Sequence, residues 1–154
     1  MIIFNKKFIF LIKILLTYLI ISTNGQTSDS NYLNEGIKLY QENKIQESKM
    51  LFEKDIVFNP KSEISYLYLA KIFSQGENDS EQEVNLKSVL LINPENEEAT
   101  YLLTLLKIKQ FNYSETKKLI NKFELICKSL CSKKVVLKEK FQKLNPENEK
   151  NYNQ

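Results

Sequence analysis

Two Asn-Pro pairs, Asn59-Pro60 and Asn93-Pro94, stand 34 residues apart, each closing an apolar stretch and preceding an acidic restart. Proline has no backbone N–H and pushes the residue before it out of the helical region, so each pair ends a helix. The restarts, Lys61-Ser62-Glu63 and Glu95-Asn96-Glu97-Glu98, have the residues of a capped first turn, where carboxylates meet the positive end of the helix dipole. Other positions recur at the same spacing: Tyr32 with Tyr66, Gly36 with Ala70 and Thr104, Phe52 with Leu86 and Ile120, Ser48 with Gln82 and Thr116, and Asn78 with Asn112. Several columns at one period indicate a duplicated unit.

Each unit is interrupted by polar residues, "QENK" at 41–44, "SQGEND" at 74–79 and "KQFN" at 109–112, and so consists of two helices. The pattern predicts helices near 31–42, 46–57, 63–74, 80–92, 97–109 and 114–128, with Asp79 and Ser114 as caps. Three Gly, three Pro and no long Val or Thr runs favour helix over sheet throughout.

The amino terminus reads as an address. Lys6 and Lys7 precede a mostly apolar stretch from Phe8 to Ile21, and Thr23 and Gly25 are small residues at signal-peptidase spacing. A signal peptide over residues 1–25 is expected, with an uncleaved membrane anchor as the alternative; Lys13 and the short core disfavour a span about 30 Å thick. Lys6, Lys7 and Lys13 would leave with it, and the 22 basic residues fall to 19 against 19 acids. A neutral chain without arginine has no electrostatic reason to bind nucleic acid.

A 34-residue helix-turn-helix with small residues in both helices and a closing proline resembles the tetratricopeptide repeat family. The second unit carries the pattern best, in Tyr66, Leu69, Ala70, Phe73, Leu86 and Pro94. The sequence departs from it at Glu35, Asp55, Gln82 and Lys128. The resemblance implies an all-α fold, an α-solenoid of three stacked helical hairpins over 30–128 with a carboxy-terminal capping helix over 129–144; residues 145–154 are expected to be a disordered tail. Either the last repeat helix runs on through "CSKKVVLKEKF", or it breaks near Ser132 and a separate helix covers roughly 133–144.

By position, the resemblance also implies an inner, peptide-binding face formed by Leu33, Ile37, Tyr40, Leu67, Lys71, Ser74, Tyr101, Leu105 and Ile108. An apolar groove with one lysine suits an amphipathic helix or an apolar peptide of a partner protein. The same side chains would serve equally in a homodimer or beneath the carboxy-terminal helix.

Catalysis has little to draw on. The chain has no histidine, no Gly-rich phosphate loop and no strained serine turn, and Glu97 and Glu98 suit dipole complementation. No enzyme activity, cofactor or metal is expected. Cys127 and Cys131 are the only thiols; they are either a disulfide, natural in an exported protein, or two small buried hydrophobes. Two N-glycosylation sequons, Asn78-Asp-Ser and Asn112-Tyr-Ser, fall in equivalent turns. The sequence therefore predicts an exported interaction module, periplasmic or extracellular, membrane-bound only if the amino-terminal segment is retained.

Overall fold

The computed structural model describes residues 31–144; the expected signal segment and the expected disordered tail lie outside them. The described residues form seven α-helices and no strand: α1 (Tyr32–Gln41), α2 (Ile45–Phe58), α3 (Glu63–Gln75), α4 (Asp79–Ile92), α5 (Glu97–Lys109), α6 (Tyr113–Ile126) and α7 (Lys133–Leu144). Packing is densest within the pairs α1–α2, α3–α4 and α5–α6, and each pair packs on the next, as in a helical repeat. The last helix, α7, lies against both α5 and α6.

The columns that recur at 34 residues are the inside of these pairs. Gly36, Ala70 and Thr104 are buried, as are Phe52, Leu86 and Ile120. Ser48, Gln82 and Thr116 are buried with them. In the first pair the small residues let backbones meet: Ser48 Oγ donates to the Gly36 carbonyl at 2.9 Å, and the Phe52 ring covers the glycine. Asp55 stands where a small residue is expected, and it is buried as the acceptor of a 2.5 Å bond from Ser65 Oγ, which links α2 to α3. A buried carboxylate needs such partners to offset its desolvation.

The three turns inside the pairs share a geometry that the sequence does not display. Asn43, Glu77 and Phe111, 34 residues apart, have φ of 59°, 54° and 54°. In each turn the next N–H reaches back five residues: Lys44 to Leu39 at 2.9 Å, Asn78 to Phe73 at 2.9 Å, Asn112 to Lys107 at 3.0 Å. This is the hydrogen-bond signature of a left-handed helix end. Glycine is the residue for that conformation, yet Gly76 sits one position early, with φ −86°. The following helices are capped by Asn78, which accepts from Glu81 N–H, and Asn112, which accepts from Glu115 N–H. The caps are thus the sequon asparagines and not Asp79 and Ser114, because α4 and α6 begin a residue earlier than the pattern suggested.

The acids that open α3 and α5 have a second duty. Glu63 accepts from the side-chain amides of Asn93 and Asn96, in the loop that leaves its own helix pair. Glu97, 34 residues on, does the same with the equivalent loop: it accepts from the N–H groups of Lys128 at 2.7 Å, Ser129 at 3.1 Å and Leu130 at 3.1 Å, and from the Ser129 hydroxyl. The Ser129 hydroxyl, then the amides of Lys128 and Leu130, hold the Glu97 carboxyl down to about 2. Amides that point at a carboxylate cannot continue a helical ladder. The last repeat helix therefore stops at Ile126, earlier than the break expected near Ser132. Cys127 and Cys131 are joined by a disulfide, with Cα atoms 5.2 Å apart, across the loop that Glu97 grips.

A third link is ionic. Glu83 on α4 pairs with Lys107 on α5 and with Lys87, both at 2.6 Å, and Lys109 pairs with Asp79 at 2.7 Å. The Lys107 and Lys87 ammonium groups hold the Glu83 carboxyl down to about 2.

Candidate functional site

The residues expected on the inner face come from the first helix of each pair, and the structure distributes them into three groups. On α1, Leu33, Ile37 and Tyr40 are half-buried over the cluster formed by Phe52, Leu69 and Ile72. Tyr40 meets Tyr68 edge-on at 5.0 Å, and its hydroxyl accepts from Gln75 Nε2 at 2.9 Å.

On α3, Leu67 belongs to the core: it is 9% exposed and packs with Ala70, Leu86 and Leu103. Lys71, one turn further, is partly exposed. Its Nζ lies 2.8 Å from Glu98 Oε1 and 5.1 Å over the Tyr68 ring, so the ammonium ties α3 to α5. A partly exposed pair of this kind contributes under about 1 kcal/mol, little enough for an incoming carboxylate to displace. Ser74 is exposed.

On α5, Tyr101 and Leu105 are half-buried and Ile108 is 9% exposed. All three pack in a cluster with Phe123, with Leu137 and Phe141 of α7, and with the disulfide loop through Leu130. The last helix thus occupies part of the surface that these residues would otherwise offer.

Leu67 and Ile108 are accordingly core residues with little surface, while Leu33, Ile37, Tyr40, Lys71, Tyr101 and Leu105 keep some. Tyr68 and Glu98 join them and were not anticipated. Tyr68 could have been found as the aromatic three residues before Lys71, on the same helical face. Nothing in the sequence distinguished Glu98 from a dipole-complementing acid.

Among the described residues no three His, Cys, Asp or Glu side chains are grouped as metal ligands, and no helix is long and apolar enough to cross a membrane. No family model matches this chain, and no curated protein matches it at a significant level.

Proposed function

We propose that this chain is an exported, non-catalytic interaction module of tetratricopeptide-like hairpins that binds a peptide or amphipathic helix of a partner protein along its first helices. The observation that carries the reading is the half-buried row Leu33, Ile37 and Tyr40 on α1, continued by Tyr68 and Lys71 on α3. Aromatic and aliphatic side chains backed by a packed layer, with a single displaceable ion pair beside them, form a surface suited to a helix that brings apolar groups and a carboxylate. Export is supported by the charged start, apolar core and small residues of the first 25 positions. Cys127 and Cys131, joined in a bond, fit an oxidising compartment.

The test is a crosslinked pull-down from the cell envelope with the chain as bait, beside a Tyr40→Ser, Lys71→Glu variant of unchanged helicity. A defined protein recovered by the first bait and lost with the second supports an adaptor. If each bait recovers only itself, and sedimentation gives a dimer, the chain is a self-associating structural protein.

A further inference from the structure

We propose that the groove between α4 and α6 is a second docking surface, on the opposite helices of the pairs, and that its occupant is an acidic amphipathic helix of a partner protein. Leu90, Leu103 and Leu119 floor an open trough of about 410 Å³, with Leu91 at its edge. Lys87, Lys118 and Lys122 stand around it with one carboxylate, Glu115.

The lysines are the unusual part. On the other second helices, Lys49 pairs with Glu53 and Lys87 with Glu83, each four residues away and at 2.6 Å. On α6 that spacing joins Lys118 to Lys122, and neither makes an ion pair among the described residues. Like charges one turn apart work against the helix that carries them. The imbalance is regional: residues 113–144 hold nine lysines and three glutamates, whereas residues 31–112 hold nine lysines and 13 acids. Residues 113–144 are thus a cationic end of the described chain, and an anionic partner complements it.

The apolar part has a matching feature. Val57, Leu91 and Leu125, each the penultimate residue of its helix and 34 residues apart, are 73%, 85% and 86% exposed. Leu91 borders the trough, so a helix laid there gains apolar contact at its edge as well as its floor. Leu103 and Leu119 are recessed, at 3% and 6%, below the reach of a flat surface such as a bilayer. A helix inserts side chains into such a trough; an open trough encloses too little of a small molecule.

The experiment uses the full chain and a fluorescein-labelled synthetic helix with leucines at i, i+3, i+4 and i+7 and glutamates on both flanks, read by anisotropy. Binding is expected, stronger at low salt. The Lys118→Glu, Lys122→Glu and the Leu91→Ser variants are expected to bind at least about tenfold more weakly. These side chains are at the surface, and circular dichroism checks that the variants fold. The Tyr40→Ser, Lys71→Glu variant should retain the affinity, which separates this surface from the one proposed above. Three results would overturn the proposal: equal binding by a peptide with lysines in place of the glutamates, affinity unchanged in the α4 and α6 variants, or capture by phosphatidylglycerol vesicles without capture of the peptide. A dimer that Leu91→Ser dissociates, with no peptide binding, would assign the trough to a second copy and also overturn it.

Discussion

Gly36→Ala sets two effects of known sign against each other. Gly36 lies inside α1 with no positive φ, so alanine fits the backbone and gains about 1 kcal/mol in helix propensity. The added Cβ would lie 2.9, 3.1 and 3.2 Å from Cε1, Cδ1 and Cζ of Phe52. Carbon atoms prefer about 3.5 to 4.0 Å, so the ring must retreat by several tenths of an ångström. It has nowhere free to go: Phe52 is fully buried and stacked on Tyr68 at 4.9 Å, 15° from parallel. Separating the helices instead stretches the bond from Ser48 Oγ to the Gly36 carbonyl. Overpacking of this kind costs about 1 to 3 kcal/mol, which exceeds the propensity gain, and the net expectation is a loss of about 1 kcal/mol. Urea unfolding followed by circular dichroism measures it. The companion variant Phe52→Leu removes the ring edge, so Gly36→Ala made in that background should stabilise, and the double-mutant cycle should show coupling of about 1 to 3 kcal/mol. Equal stabilisation by Gly36→Ala in both backgrounds would refute the reasoning.

Three further outcomes follow from the turns, the acids and the disulfide. Phe111→Gly should raise stability by about 1 kcal/mol in urea unfolding, because φ 54° is strained for phenylalanine and the side chain is largely exposed. Both Glu83 and Glu97 have folded values of about 2, below the ordinary 4.5, so their stabilisation is present above pH 4.5 and disappears as pH falls toward 2; glutamine at either position should flatten that acid limb in thermal melts. Cys127→Ser with Cys131→Ser opens a short loop and should cost about 2 kcal/mol, read as faster amide exchange in α7 with α1 to α4 unaffected.

The sequence displayed what depends on side-chain type at a fixed interval. Gly36, Ala70 and Thr104 recur because helices touch there, and Phe52, Leu86 and Ile120 because a large group must fill the same space. The prolines and polar breaks placed the helix ends, since those residues act locally. What stayed hidden depends on backbone or on long-range partners. Asn43, Glu77 and Phe111 share a left-handed turn yet have no chemistry in common, so no residue pattern announces it. Glu97 looked like any first-turn acid, because the three amides it binds are 31 to 33 residues away. That Leu33, Ile37 and Tyr40 share one half-buried face of α1 follows from helical register; the burial of Leu67 does not, because it depends on how closely α3, α4 and α5 pack.

Glu63 and Glu97 each fasten the exit loop of their own helix pair, and each pair turns on its own left-handed joint. Such a chain can change length in whole steps. Excision of residues 63–96 would splice Ser62 to Glu97 and is expected to leave the Glu97 clasp and both remaining joints in place. The new seam sets Asp55 opposite Ala99, the counterpart of Ser65 one period on, so the splice point is where a shortened chain needs repair, and Ala99→Ser is the residue change that supplies it.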